Sequence, residues 1–157
     1  MTKVQKLMEA NPDLTLGGYL TAEEALYKTH PHIHKKLYPN SSVGFKKNYY
    51  DPNEDLASDH SQKSYQYIHE LLDLLEEAKC VLKRPQVRKP SSYTWKHRVE
   101  QYAAKINGSN THHWVGNGLF IAVLRERKLP EKRADELNAW VPLGEKALNF
   151  CDELQLW

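Results

Sequence analysis

The chain has 157 residues, a length at which one hydrophobic core is the usual solution, and its 40% hydrophobic and 27% charged residues exclude a wholly disordered polypeptide. The net charge is only +2, and the two cysteines, which form no Cys-x-x-Cys pair, argue against a disulfide scaffold or a thiolate zinc site. The first residues lack the apolar run of a secretory signal, and the longest apolar run, Leu119 to Leu124, is too short to span a membrane, so we expect one cytoplasmic domain over residues 1–157.

The first predicted helix begins at Thr21. Thr21 and Glu24 have the spacing of a capping box, in which the threonine oxygen accepts from a backbone amide and the glutamate reaches back to the cap. Pro31 disfavours helical geometry at His30, so the helix is expected to kink or restart there. Residues 38–53, with two prolines, a glycine and several Ser and Asn, predict a long surface loop.

The longest predicted helix covers residues 59–82. Asp59 and Gln62 suit its N-terminal cap, and its apolar stripe repeats at helical spacing through Tyr65, Ile68, Leu72 and Leu75. A basic segment with two prolines, residues 83–90, follows as a connector.

The next helix is capped by Ser91 or Ser92 and ends at Asn107-Gly108. Its apolar stripe is formed by Trp95, Val99, Tyr102 and Ile106.

Asn117 is predicted to cap a helix that is apolar nearly all round between residues 119 and 124, and such a helix is normally buried by its neighbours. Pro130 and Pro142 each suit the first turn of a closing helix. No run alternates with period two for long enough to predict a strand. The fold class is therefore predicted as all-α, a single compact domain of about six helices with a long basic loop.

Basic residues are concentrated in two stretches without acidic residues, 28–50 and 83–98, where aromatic residues are interleaved with them. Cations that neutralise phosphates, beside rings that stack on bases, are typical of a nucleic-acid surface. A solvated basic face, or one that docks an acidic protein, is the alternative. The candidate partner-binding residues are Lys35, Lys36, Lys46, Lys47, Lys83, Arg84, Arg88 and Lys89.

Eight histidines raise the possibility of a metal site. His97 and Glu100 are three residues apart and lie on one face of a helix, and the following loop could bring His112 and His113 over them. Three such ligands and an open position would suit zinc or another divalent ion in a hydrolase, with Glu100 as ligand or general base. The alternative is that these histidines only pack at the surface or in the loop.

His30, His32 and His34 would lie on one side of an extended segment and form a second possible metal site, but exposed loop residues are the alternative. No HExxH motif or serine-nucleophile elbow is present. Gly116-Asn117-Gly118 lacks the context of a phosphate loop and predicts a tight turn before a helix.

Residues 92–100, SYTWKHRVE, together with residues 116–122, GNGLFIA, resemble small uncharacterised helical proteins of phages and mobile elements. The resemblance covers a minor part of the chain and implies a genomic context, in which host-directed or defence-directed binding is expected. It implies no site residue.

The sequence therefore favours a non-catalytic binding protein without a cofactor that engages nucleic acid, or a nucleic-acid-associated protein, through a basic face. A metal-dependent hydrolase that uses the His/Glu cluster is the alternative. An oligomeric module, suggested by the apolar tail Leu154-Gln155-Leu156-Trp157, is a third, and the oligomeric state stays open.

Overall fold

Seven helices and two short hairpins form the part of the chain that the computed structural model describes, residues 1–41, 56–108 and 112–156. The helices are α1 (Lys3–Glu9), α2 (Ala22–Thr29), α3 (Pro31–Leu37), α4 (Asp59–Glu77), α5 (Ser92–Asn107), α6 (Asn117–Glu126) and α7 (Glu145–Glu153). The antiparallel strand pairs are β1 (Leu14–Thr15) with β2 (Gly18–Tyr19), and β3 (Lys132–Arg133) with β4 (Ala139–Trp140). The chain is thus mainly helical, and the prediction of a purely all-α fold is corrected by these two small sheets.

Helix α6 lies at the centre of the core. Its residues from Asn117 to Leu124 are all buried, as its apolar sequence predicts. Helices α1, α4 and α5 pack around it together with the β1–β2 hairpin. Trp95 of α5 and Phe120 of α6 are both fully buried, and the Trp95 indole N–H donates to the Leu143 carbonyl at 3.3 Å.

Helix starts follow the predicted capping chemistry only in part. Thr21 and Glu24 form the capping box of α2, and Pro31 is the first residue of α3, so the chain restarts as a new helix there. Helix α4 is capped by Ser58, whose hydroxyl accepts from the Ser61 amide at 3.1 Å, and not by Asp59. Helix α6 begins after Gly116, so Asn117 is its first residue and not its cap.

Helix α4 ends at Glu77, five residues earlier than predicted. Lys79 has a φ of 56°, and the Cys80 amide donates back to the Leu75 carbonyl at 2.8 Å, which closes a left-handed C-terminal cap. Lys128 and Gln155 have the same backbone conformation after α6 and α7. Glycine usually occupies this position, so its absence hides these helix ends in the sequence.

The helix predicted to begin at Pro130 is wrong, because this segment forms the β3–β4 hairpin. The Asp135 carboxylate accepts the backbone amides of Leu137 and Asn138 at 2.9 and 2.8 Å, a local turn that competes with helical hydrogen bonding. The helix predicted at Pro142 is present as α7, but it begins at Glu145, so Pro142 precedes its first turn.

Helix α1 and the β1–β2 hairpin are additional to the predicted elements. Thr2 and Gln5 form a complete capping box for α1, which is a readable pattern. Each strand has only two residues, too few for an alternating pattern to be detected.

Lys46 and Lys47, most of the predicted loop 38–53 and Trp157 lie outside the described residues. Among the described helices, none is long and apolar enough to cross a membrane.

Candidate functional site

A basic loop, defined here as residues 83–89, connects the end of α4 to the start of α5. Its four cations, Lys83, Arg84, Arg88 and Lys89, are all exposed. In the described part of the chain none of the four takes part in an ion pair. Four positive charges within seven residues therefore face solvent, and no carboxylate among the described residues forms an ion pair with them.

The basic loop is attached to the folded body through its backbone. The Leu82 amide donates to the Pro142 carbonyl at 2.7 Å, and the Gln86 amide donates to the Val141 carbonyl at 3.0 Å. The Gln86 side chain also donates to the Lys89 carbonyl at 3.3 Å. These bonds attach the loop backbone to the folded body, so they set where along the surface its cations lie.

Two arginines near the end of α6 are instead paired with carboxylates. Arg125 pairs with Asp13 and Glu131, each at 2.8 Å, and Arg127 pairs with two carboxylates of α4 at 2.6 and 3.0 Å. The contrast with the basic loop indicates that its unpaired cations are available to an anionic partner.

The β3–β4 hairpin adds a cation beside the loop. Lys132 lies opposite Trp140 in the hairpin, and Trp140 lies opposite Ser91 in an isolated bridge just after the loop. Directly opposed residues of an antiparallel pair project to the same face, so the Lys132 and Trp140 side chains share one face with Ser91. Neither residue is among the predicted site residues, because the sequence predicts a helix for this segment.

The other predicted cations have different positions. Lys35 and Lys36 are exposed on α3, which packs against α2. Lys46 and Lys47 are outside the described residues. The predicted partner-binding cations that the structure describes thus lie in two places, on α3 and in the basic loop.

A buried polar cluster surrounds Glu100 on α5. One carboxylate oxygen of Glu100 accepts from the Lys96 ammonium at 2.8 Å and from the Val115 amide at 3.0 Å, and the other contacts His97 Nδ1 at 2.8 Å. Burial alone would raise the pKa of Glu100, but the hydrogen bonds from Lys96, Val115 and His97 outweigh it and lower that pKa. The carboxylate is therefore ionised and neutralises the buried Lys96.

His113 faces α4. Its Nε2 atom lies 2.7 Å from the Ser64 hydroxyl, and its ring stacks on His60 with the centroids 3.9 Å apart. Burial, together with the charges of His60 and Lys63, lowers the pKa of His113 to about 4. His113 is therefore a neutral imidazole near neutral pH that joins the 112–116 segment to α4.

The four predicted metal ligands occupy different surroundings. His97 and Glu100 lie on one helix face as predicted, whereas His113 bonds to Ser64 and His112 is exposed. Within residues 1–41, 56–108 and 112–156, no group of three or more His, Cys, Asp or Glu side chains is placed to hold a metal ion. The metal site stays a hypothesis that these positions do not favour.

The His30, His32 and His34 group does not have the extended geometry assumed for it. The last two lie on α3, where a spacing of two residues turns side chains to different faces. His34 is buried and bonds to Glu23 at 2.9 Å, while His30 and His32 are exposed.

Two exposed aromatic rings border the Glu100 cluster. Tyr93 on α5 is 52% exposed and Trp114 in the 112–116 segment is 39% exposed, whereas Trp95 is fully buried in the core, as its apolar stripe predicts. Tyr93 is recognisable in the sequence as an aromatic residue among cations. Trp114 follows two histidines in a loop, and its spacing does not distinguish it from a core residue.

No family model, no curated protein and no solved structure matches the chain.

Proposed function

We propose that the protein is a nucleic-acid-binding module that contacts phosphates through Lys83, Arg84, Arg88 and Lys89. The observation that carries the proposal is the fixed basic loop with four exposed cations and no carboxylate partner among the described residues. Lysine and arginine side chains that neutralise phosphates release counterions, which is the main driving force for binding of this kind. Lys132 extends the same cationic surface.

The test is fluorescence anisotropy with labelled DNA and RNA at several salt concentrations. Binding is expected to weaken as salt rises, with a slope of about −0.7 to −0.9 per phosphate contacted on a logarithmic plot. Replacing Lys83, Arg84, Arg88 and Lys89 by glutamine should remove about four such contacts, reduce the slope by about 3 and weaken binding at least tenfold at low salt.

A matched control changes Lys3, Lys6, Lys28 and Lys63 to glutamine. These lysines are exposed on α1, α2 and α4, and the total charge falls by the same amount. The control is expected to bind almost as tightly as the wild type. An equal loss of affinity in the basic-loop variant and in this control, or no salt-dependent binding at micromolar protein, would contradict the proposal.

The contribution of α3 and the adjoining loop is tested separately. A variant with glutamine at Lys35, Lys36, Lys46 and Lys47 should lose affinity if these residues also contact phosphates, as the sequence predicts. Polyglutamate serves as a competitor for the acidic-protein alternative. If polyglutamate displaces nucleic acid at equal charge concentration, the partner is an acidic protein surface instead.

A further inference from the structure

Two exposed rings continue the cationic surface from the basic loop onto α5. Tyr93 is four residues after Lys89, so their Cα atoms are at most about 14 Å apart. Trp114 reaches the same area from the 112–116 segment, because the Lys96 ammonium lies near both rings, 5.4 Å from the Tyr93 centroid and 5.6 Å from the Trp114 centroid.

The Lys96 ammonium lies on the inner side of the two rings. The Lys96 side chain is only 7% exposed because it pairs with the buried Glu100, whereas Tyr93 and Trp114 are 52% and 39% exposed. The outer surfaces of the rings are therefore the parts that face solvent. The Lys96 ammonium beneath them is paired with Glu100 and does not block those surfaces.

Contacts with neighbouring residues hold the Tyr93 and Trp114 rings in place. The His97 ring packs edge-on against Tyr93 with the planes at 90° and the centroids 4.5 Å apart, and His97 Nδ1 is bound to Glu100. The Trp114 carbonyl is 2.6 Å from His60 Nε2 on α4, so the backbone that carries the indole is also attached. Rings ordered in advance lose little conformational entropy when a ligand binds.

We infer that Tyr93 and Trp114 stack on the bases of a single-stranded nucleic acid whose phosphates run along the basic loop, an inference that rests on the proposed function. Every base has a π-face, and an unpaired strand exposes those faces to aromatic side chains. In a duplex the faces are covered by neighbouring base pairs, and readout requires an element that enters a groove. Two partly exposed rings beside a basic segment match the single-stranded case.

The test compares three probes of equal length: an oligothymidylate, the same sugar-phosphate strand without bases, and a duplex. All three carry phosphates, but only the first presents free base faces. The wild type is expected to bind oligothymidylate about a hundredfold more tightly than the abasic strand, since each of two stacked bases contributes on the order of 1–3 kcal/mol. The duplex, whose base faces are covered, should bind less tightly than oligothymidylate in spite of its higher charge density.

Substitutions distinguish base stacking by the two rings from phosphate binding by the cations. Tyr93→Ala and Trp114→Ala should each weaken oligothymidylate binding about tenfold and leave abasic-strand binding unchanged. Tyr93→Phe and Trp114→Phe keep a ring and should retain most of the affinity. They keep the test decisive if an alanine variant loses binding because it folds poorly. Ile106→Ala is the matched control: Ile106 is 59% exposed near the other end of α5, and its loss should change nothing.

The two proposals fail in different ways. If the wild type binds all three probes equally and the ring variants behave like the wild type, base stacking is refuted, while a loss of binding in the basic-loop variant still supports the proposed function. If the wild type binds none of the probes, the proposed function fails and the stacking inference fails with it.

Discussion

At the residue scale, His113 is a buried histidine whose charge state affects stability. Its pKa is lowered to about 4, below the value near 6.5 of an exposed histidine, because the neutral ring is buried between α4 and the 112–116 segment. Lys63 and His60 on α4 and the adjacent His112 disfavour the protonated form, and Glu100 on α5 opposes them. Protonation would place a cation in the His60–His113 stack.

The sign of the pH dependence follows from this shift. Between about pH 6.5 and 4 the unfolded chain binds a proton at this residue that the folded chain does not bind. The free energy of unfolding should therefore fall as pH drops through this window, by about 2 kcal/mol after allowance for solvent screening. Urea denaturation of the wild type and of His113→Gln should show a flatter profile in the variant.

His112→Gln is the control for this prediction, because His112 is adjacent but exposed. Its stability should follow the wild-type pH profile. A His113→Gln protein with the wild-type slope would show that His113 does not carry the effect.

Residue types and helical spacing predict part of the candidate site. The basic loop is visible as cations among prolines, and the His97–Glu100 contact follows from a spacing of three. The position of His113 against Ser64 is not predictable in this way, because the two residues are 49 apart and only the packing of the chain decides their contact.

At the element scale, the β1–β2 hairpin rests directly on the first turn of α6. The Gly118 amide donates to the Leu16 carbonyl at 3.0 Å, and a Cβ atom added to Gly118 would lie 1.5 Å from the Thr15 carbonyl oxygen. Only glycine permits this approach. The Gly116-Asn117-Gly118 turn therefore positions the hairpin as well as starting the helix.

Gly118→Ala is expected to lower the free energy of unfolding by about 3 kcal/mol or more, because the obstructing atom belongs to the backbone and cannot rotate away. Helix propensity alone predicts the opposite sign, a gain of up to about 1 kcal/mol. Chemical denaturation followed by circular dichroism measures the difference.

Gly17→Ala provides the comparison within the same hairpin. A Cβ atom at Gly17 would meet its nearest neighbour, the Thr15 hydroxyl oxygen, at 3.6 Å, an ordinary contact. The free energy of unfolding of Gly17→Ala should therefore stay within about 0.5 kcal/mol of the wild-type value. Similar losses in both variants would show that the close approach of the hairpin to α6 is not the cause.

Elements with a strong apolar period are the ones that the sequence predicts well, whereas the capping box of α1 alone does not lead to its prediction. Helices α4, α5 and α6 are of this type, and the α2 cap is present as expected. The β3–β4 hairpin was assigned to a helix because Leu137 and Val141 fit a helical spacing, although Leu137 is 41% exposed. Side-chain hydrogen bonds of Asp135 determine the turn, and periodicity does not detect such bonds.

At the scale of the whole molecule, the mainly helical class can be predicted from the sequence. Which of its charged side chains form ion pairs cannot. Composition gives a net charge of +2, which describes a nearly neutral protein. The structure shows that Arg125 on α6 and Arg127 just after it are neutralised by carboxylates from other segments, whereas the cations of the basic loop have no carboxylate partner among the described residues. Net charge is a sum, so it contains no information about which cations remain unpaired.

The metal-dependent alternative makes a prediction about the whole protein. Since the described residues assemble no three-ligand group and His113 is committed to Ser64, protein purified without a histidine tag is expected to contain metal well below one ion per chain. Its melting temperature should not change in chelator, because a ligand that binds only the folded state raises stability and its removal lowers it. Stoichiometric zinc, together with a chelator-induced fall in melting temperature that His97→Ala removes and His32→Ala retains, would restore the hydrolase hypothesis.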